Sequence, residues 1–191
     1  MLDIKILQYL GFFLLPFVLS LVLTPIVRFI AIKHGLISYP RTARWHKNPT
    51  ALLGGISIYL ATIISIISLH NSIPVNKNVL GWFLGATFLF IVGLVDDKFH
   101  VRPYTKLLLQ VIAASIAIFF GFSIGLPVNP LLIIPLTLLW IVGVTNSFNL
   151  LDNIDGLAAG ISAISSLMLV FSFLFFANSS LGIFGLILAG A

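Results

Sequence analysis

Long apolar stretches, separated by short polar connections, constrain the fold of this chain more than any other feature. A helix needs roughly 20 apolar residues to cross a bilayer, with a range of about 17–25. Six stretches approach or meet that length: about Ile6–Ile32, Leu52–Leu69, Val79–Val95, Leu107–Leu126, Leu131–Val144 and Leu157–Phe176. A seventh begins at Leu181, close to the last residue. The sequence therefore predicts an all-α polytopic transmembrane helix bundle with six complete spans and the start of a seventh.

The composition supports a membrane protein. Hydrophobic residues make up 60% of the 191 residues and charged residues 8%, whereas a soluble domain carries about 25% charged residues. A chain of this length cannot enclose so much apolar surface in one small core. The first stretch is too long for the core of a signal peptide, so we expect it to be a retained helix. We expect one transmembrane domain over residues 1–191, truncated at its C-terminus.

Basic residues are concentrated in alternate connections, and this predicts the topology. The connection after the first span and the connection after the third hold seven of them: Lys33, Arg41, Arg44 and Lys47, then Lys98, Arg102 and Lys106. The connections on the other side, His70–Asn78 and the region of Pro127, hold only Lys77. Since loops rich in Lys and Arg stay in the cytoplasm, the N-terminus is predicted to lie outside. Parity then places the connection 146–156 in the cytoplasm as well.

Two adjacent carboxylates, Asp96 and Asp97, end the third span in the stretch GLVDDKF. The chain has no Glu, and four of its five acidic residues lie in two tight clusters. A helix end that meets water would need only one Asp, and an ionisable group at the centre of a membrane helix costs about 2.5–3.5 kcal/mol. Hard oxygen ligands of this kind suit Mg²⁺, which typically uses one or two carboxylates together with substrate phosphates. The pair is therefore predicted to be functional.

The second acidic cluster lies in NSFNLLDNIDGLAAG, whose polar residues Asn146, Asn149, Asp152 and Asp155 recur every three positions. Steps of three drift by about 60° each on an α-helix, so the four side chains cannot share one face. Either the segment is a tighter 3₁₀ turn, or the helix breaks within it. We expect Asn146 and Asn149 to finish the fifth span and Asp152 or Asn153 to begin the next helix. The simpler alternative, that Asp152 caps the sixth helix, leaves Asp155 unexplained.

Basic side chains on the same face provide sites for phosphate. Lys47 belongs to a cationic strip in the first loop, and Lys106 lies at the foot of the fourth span, ten residues after Asp96. The alternatives are topology signalling for the strip and snorkelling for Lys106. Acidic residues for a metal that face basic residues for phosphate would equip the membrane surface for chemistry between a soluble anionic substrate and a lipid phosphate.

Three motifs carry a resemblance to a known family: GLVDDKF with YTKLLLQ, NSFNLLDNIDGLAAG, and HKNPTALLGG. In their order along the chain, with HKNPTALLGG first and spans between them, the three motifs resemble the polyprenyl-phosphate N-acetylhexosamine-1-phosphate transferases. The wording LLDNIDGLAAG looks more like the branch that uses UDP-N-acetylglucosamine than the muramoyl-pentapeptide branch. The resemblance implies transfer of a sugar 1-phosphate, expected to be N-acetylglucosamine 1-phosphate, from a UDP-sugar to undecaprenyl phosphate. UMP leaves, and the reaction starts a cell-envelope polysaccharide.

The resemblance also implies roles for residues. Asp96 and Asp97 match the catalytic pair, of which one deprotonates or orients the lipid phosphate or helps to hold Mg²⁺, with Mn²⁺ as the alternative ion. Asn149, Asp152 and Asp155 match the nucleotide- and metal-site motif, so Asn149 is a predicted metal ligand with the Asp pair, and Asp155 lies where relatives recognise uracil. Lys106 and Lys47 match phosphate- or substrate-binding positions. The active site is expected to face the cytoplasm at the cell membrane.

Two further hypotheses remain open at this point. The chain is an inactive, truncated membrane fragment of such an enzyme, or it is a transporter whose Asp residues form an ion site. A transporter's ion site lies near the bilayer midplane, whereas both clusters are predicted at one interface. A homodimer is considered among the partners, and no nucleic acid is expected.

Overall fold

The computed structural model describes residues 2–38, 50–73, 76–127, 129–152, 154, 156–176 and 179–191. Its helices confirm the predicted all-α class: α1 Leu2–Lys33, α2 Gly54–Ser68, α3 Lys77–Phe99, α4 Pro103–Phe119, α5 Pro130–Leu151, α6 Leu157–Phe176 and α7 Ser179–Gly190. A 3₁₀ turn, His70–Ser72, follows α2. Two short antiparallel strands, β1 Ile37–Ser38 and β2 Thr50–Ala51, pair Ile37 with Ala51 and Ser38 with Thr50.

Among the described residues, three helical segments are long and apolar enough to cross a membrane: Leu7–Lys33, Lys77–Phe99 and Leu131–Leu151. Three shorter apolar segments, Gly54–Ser68, Pro103–Phe119 and Leu157–Ser172, accompany them. Large apolar side chains on these helices face outward; Phe29 is 68% exposed and Leu139 is 74% exposed. Exposed apolar surface on this scale is compatible with lipid and not with water. The chain is therefore a membrane protein, while the outside location of its N-terminus stays a prediction.

The chain divides into two compact units, which are described separately. Unit 1 comprises Met1–Pro74 and Ile154–Ala191, and unit 2 comprises Val75–Asn153. The expectation of a single domain over residues 1–191 stays a prediction.

In unit 1, α1 packs against α2 and α7, and α6 packs against α7. Small residues permit this close packing, since a Cβ on Gly190 would overlap the backbone of α1 at Phe13. The hydroxyl of Thr24 donates to Ser57 Oγ at 3.2 Å, and Ser57 donates to the Gly54 carbonyl at 2.7 Å. Polar groups of α1 and α2 thus satisfy one another within an apolar unit.

In unit 2, α4 is the central helix because it packs against both α3 and α5. Its buried face carries Gln110, Ala113, Ala114 and Ala117. A Cβ on Gly85 of α3 would lie 3.0 Å from the Ala113 carbonyl oxygen, and a Cβ on Gly81 would overlap Phe120. Glycine on α3 against alanine on α4 therefore brings the two backbones close together, as small residues do between membrane helices.

The predicted fourth span, Leu107–Leu126, is wrong at both ends, because α4 runs over Pro103–Phe119. It begins early because Pro103 occupies the first helical position, where its missing N–H is not needed. It ends early because Gly121 has φ +98, while its N–H bonds the Ile118 carbonyl and the Phe122 N–H bonds that of Ala117. This pattern is a Schellman C-terminus, which stops a helix even within an apolar stretch.

The predicted fifth span, Leu131–Val144, is too short, because α5 runs over Pro130–Leu151. Three consecutive polar side chains continue the helix by bonding carbonyls four residues earlier: Thr145 to Ile141 at 2.8 Å, Asn146 to Val142 at 3.0 Å and Ser147 to Gly143 at 2.9 Å. Polar residues that satisfy themselves on the helix backbone do not end it.

The helix break predicted within Asn146–Gly160 is confirmed, and it follows Leu151. Asn146 and Asn149 belong to α5, as expected. Asp152 does not begin or cap the next helix, because α6 starts at Leu157, after Gly156 with φ +74. Asp152 instead follows the last turn of α5, where its N–H bonds the Phe148 carbonyl at 3.0 Å.

We expect Gly85→Val to destabilise unit 2, because the new side chain meets the α4 backbone at Ala113. Overpacking of this kind costs about 1–3 kcal/mol. The matched control is Gly93→Val on the same helix, since no atom outside that helix lies within 4 Å of its Cβ position. Thermal unfolding in detergent measures both, and equal midpoints for the two variants would contradict the close approach.

Candidate active site

The turn between α3 and α4 is organised by Asp96. The Asp96 carbonyl accepts the N–H of His100, which adopts the left-handed conformation with φ 52 and ends α3. Asp96 Oδ1 accepts the Val101 N–H at 3.0 Å. Arg102 is then extended, and Pro103 starts α4. The carboxylate thus ties the end of one helix to the approach of the next, and it fixes where Lys106 emerges one turn into α4.

Lys106 joins three helices at one point. Its Nζ lies 2.7 Å from Asp96 Oδ2 of α3 and 2.9 Å from Asn149 Oδ1 of α5. The side chains of Lys106 and Asp96 are 23% and 24% exposed. Two oxygens therefore converge on one cationic nitrogen at the edge of the unit. An ammonium has three N–H donors, and two of them are used by the described residues, so the third suits an incoming oxygen such as that of a phosphate.

A second polar contact between α4 and α5 lies one turn deeper. Asn146 Nδ2 donates to Gln110 Oε1 at 2.8 Å, and Gln110 Nε2 donates to Asn146 Oδ1 at 3.4 Å. Gln110 is 2% exposed. Residues four apart on one helix and three apart on the other share a face. The two contacts therefore form consecutive rungs between antiparallel helices, Lys106 with Asn149 and Gln110 with Asn146.

The remaining predicted residues lie around this cluster or outside the described residues. Asp97 is exposed in the last turn of α3, next to Asp96, and Asp152 is exposed directly after α5. Lys47 and Asp155 lie outside the described residues. The structure thus brings Asp96, Lys106 and Asn149 together, which agrees with the parity argument for these parts of unit 2.

Gln110 is the residue that the sequence analysis did not single out. Its signal was present, because it follows Lys106 by four positions while Asn146 precedes Asn149 by three. A polar pair at helical spacing on each of two neighbouring helices indicates a shared polar face. Predicting that Gln110 pairs with Asn146 would have required knowing that α4 and α5 are in contact.

An apolar cleft of about 250 Å³ lies beside the polar cluster, within unit 2. Ala113 and Ala117 of α4 line it between α3 and α5, and Trp82 and Trp140 also contribute. Thr145, the residue before Asn146, is part of its lining. The cleft spans the level of Trp140 to Thr145 on α5, so it begins within one helical turn of the polar cluster.

The chain is similar to known proteins of one family. Residues 79–191, more than half of the chain, match the model of glycosyl transferase family 4. A probable undecaprenyl-phosphate N-acetylglucosaminyl 1-phosphate transferase of Bacillus subtilis is 31% identical over 173 residues, covering 86% of this chain and 48% of that protein. An undecaprenyl-phosphate alpha-N-acetylglucosaminyl 1-phosphate transferase of Thermotoga maritima is 32% identical, covering 80% and 48%.

A relative that is named for a different activity has a similar sequence identity to the chain. The phospho-N-acetylmuramoyl-pentapeptide-transferase of Lactobacillus gasseri is 32% identical over 183 residues, covering 81% of this chain and 57% of that protein. The chain thus spans about half the length of the curated relatives it matches. The matched region contains all five residues of the two polar rungs and the Asp96 turn. On this evidence, the chain belongs to glycosyl transferase family 4.

Proposed function

We propose that the protein transfers N-acetylglucosamine 1-phosphate from UDP-N-acetylglucosamine to a polyprenyl phosphate, undecaprenyl phosphate, and releases UMP. The observation that carries this proposal is the Lys106 ammonium, held between Asp96 and Asn149 with one donor left for a phosphate oxygen. Relatives that are named for this activity align with most of the chain. We propose N-acetylglucosamine as the sugar because of those names and the motif LLDNIDGLAAG.

In the proposed reaction, an oxygen of the lipid phosphate attacks the β-phosphorus of the UDP-sugar. The bond from that phosphorus to the bridging oxygen breaks, and UMP leaves with the oxygen. The products are UMP and a lipid diphosphate sugar. Phosphoryl transfer depends on positioning and on neutralising charge more than on covalent help from the protein. A lysine fixed by two partners at the helix ends supplies both the positioning and the neutralising charge.

We assign different roles to the two adjacent carboxylates. Both oxygens of Asp96 already bond within the unit, to the Val101 N–H and to Lys106. Asp96 therefore positions Lys106. Asp97 lies one residue on and is exposed. Its carboxylate takes the proton of the lipid phosphate, or orients that phosphate for attack.

The donor set fits a hard divalent cation, because Asp96 and Asp97 at the end of α3 and Asn149 at the end of α5 offer carboxylate and carboxamide oxygens. Within the described residues, no group of three or more His or Asp side chains is arranged to hold a metal. A cation would therefore share Asp96, Asp97 and Asn149 with substrate phosphates, as Mg²⁺ typically does. Bound Mg²⁺ would neutralise charge on the diphosphate.

The remaining assignments concern the substrates and the membrane. Asp152, Asp155 and Lys47 are proposed to bind the UDP-sugar. The apolar cleft beside Thr145 suits part of an isoprenoid chain whose phosphate lies at Lys106. Lys98 and Arg102 accompany Lys106 at this end of unit 2, so the positive-inside rule supports a site that faces the cytoplasm at the cell membrane. A homodimer stays a prediction.

Lys106→Met is expected to lower transfer by about 100-fold or more, because it removes a charge that stabilises phosphate in the transition state. The assay uses membranes that contain the full-length protein as its gene encodes it, radiolabelled UDP-N-acetylglucosamine and undecaprenyl phosphate, and it measures lipid-linked sugar and UMP. The control is Lys98→Met, which removes a positive charge at the same end of unit 2. The Lys98 Nζ lies over the ring of its neighbour Phe99, 5.3 Å from the ring centroid. Unchanged turnover by Lys106→Met would exclude the phosphate role.

Asp97→Asn is expected to abolish transfer while UDP-sugar binding stays within about threefold, because the amide keeps the shape and loses the charge. Asp96→Asn serves as the comparison. It keeps an acceptor for the Val101 N–H and loses the ion pair with Lys106. Turnover and equilibrium binding of the UDP-sugar are measured for both. Normal turnover by Asp97→Asn would remove Asp97 from the catalytic pair.

EDTA is expected to abolish transfer, and added Mg²⁺ or Mn²⁺ to restore it. Asn149→Ala is expected to raise the Mg²⁺ concentration for half-maximal activity by about tenfold or more, the scale on which outer ligands change metal affinity. Ser147→Ala is the control on the same turn, because the Ser147 hydroxyl donates to the Gly143 carbonyl of its own helix. Full activity in EDTA would contradict the metal requirement.

A further inference from the structure

We propose that Gln110 and Asn146 are positioning residues, which set the register of α4 against α5 and thereby hold Asn149 against Lys106. Neither side chain reaches the Asp96 turn itself. Gln110 is 2% exposed and lies one turn into the unit from Lys106. The consequence for catalysis rests on the proposed function, whereas the structural consequence does not.

The amide pair is fully specified in orientation. Both N–H groups of the Asn146 amide are used, one on Gln110 Oε1 at 2.8 Å and one on the Val142 carbonyl at 3.0 Å. This leaves Asn146 Oδ1 to accept from Gln110 Nε2 at 3.4 Å. The bond to Val142 ties the pair to the α5 backbone. A change in the position of α4 therefore cannot be absorbed by rotating the Asn146 amide without losing a bond.

The pair contributes specificity more than stability. Hydrogen bonds between membrane helices stabilise them only modestly, because alternative partners exist in the membrane. Below the pair, α4 presents Ala113 and Ala117 toward the apolar cleft. Small apolar side chains tolerate sliding between helices, since many registers bury similar area. A slide of one turn, about 5.4 Å, would leave the buried Gln110 amide without its partner on α5.

Register at the deeper rung controls the shallower one. Lys106 and Gln110 are four residues apart on α4, about 6 Å of rise, and Asn146 and Asn149 are three apart on α5, about 4.5 Å. Because both helices are rigid over this length, a shift at Gln110 and Asn146 moves Asn149 relative to Lys106. The bond from Lys106 Nζ to Asn149 Oδ1, 2.9 Å long, would not survive such a shift.

The test measures helix register and activity separately in the full-length protein. Residues 1–191 contain no cysteine, so, with any cysteine elsewhere in the protein replaced, spin labels on Tyr104→Cys and Leu150→Cys report the distance between the ends of α4 and α5. Both positions are exposed, at 87% and 70%. The variants are Gln110→Met and Asn146→Leu, which keep size and remove the hydrogen bonds. The control is Ser115→Ala on α4, because the Ser115 hydroxyl donates to the Val111 carbonyl of its own helix.

Each variant is expected to broaden the label distance by several ångströms, up to about one helical turn of 5.4 Å. The unfolding midpoint is expected to stay within about 2 °C of the parent. The kcat should fall about tenfold, with KM within about threefold, because misplacement by 1 Å acts on the transition state. The double variant should lose no more than either single variant, since each breaks the same pair.

Exchange of the two amides provides the decisive comparison. Gln110→Asn with Asn146→Gln keeps the summed length of the pair, and it is expected to restore the narrow label distance and kcat to within about threefold. A label distance that stays narrow in Gln110→Met and Asn146→Leu overturns the proposal, whatever the activity. If the parent protein shows no transfer at all, the proposed function fails, and the label distances still decide the positioning role.

Discussion

The bond pattern of Lys106 is the interaction on which the polar end of unit 2 depends. One ammonium lies 2.7 Å from an Asp96 oxygen and 2.9 Å from the Asn149 carboxamide oxygen, so a single side chain connects α3, α4 and α5. A partly exposed ion pair contributes only modestly to stability. In the proposed function its importance is geometric, because the charges of a phosphate site must be positioned before the substrate arrives.

That geometry is available because the rest of the unit is apolar and closely packed. Gly81 and Gly85 let α3 approach α4, and the buried alanines of α4 allow it to lie between two neighbours. The charged residues of α3 and α4 lie near the helix ends: Lys77 at the start of α3, Asp96, Asp97 and Lys98 at its end, and Lys106 near the start of α4. Lipid can therefore surround the apolar middle of each helix, while the ionisable groups lie where they cost less than at the membrane centre.

Much of the fold and part of the site followed from sequence. Hydropathy identified all seven α-helices of the described residues, and the ends that differ include that of α3, which runs to Phe99 instead of Val95. The Schellman turn at Gly121 shortened α4, and side chains bonded to the backbone at Thr145, Asn146 and Ser147 extended α5. Asp96, Lys106 and Asn149 were each predicted as site residues from their motifs. Their shared contact was not visible, because it joins positions 43 residues apart.

The sequence by itself determined that this is a helical membrane protein with acidic and basic residues at the helix ends, since composition and the length of apolar runs admit few alternatives. It also carried the motifs of glycosyl transferase family 4. Only the tertiary structure decided that Asp96 orients Lys106 and that Gln110 pairs with Asn146. The physical reason is that hydropathy and spacing act along one helix, whereas a hydrogen bond between helices depends on which faces meet and in which register.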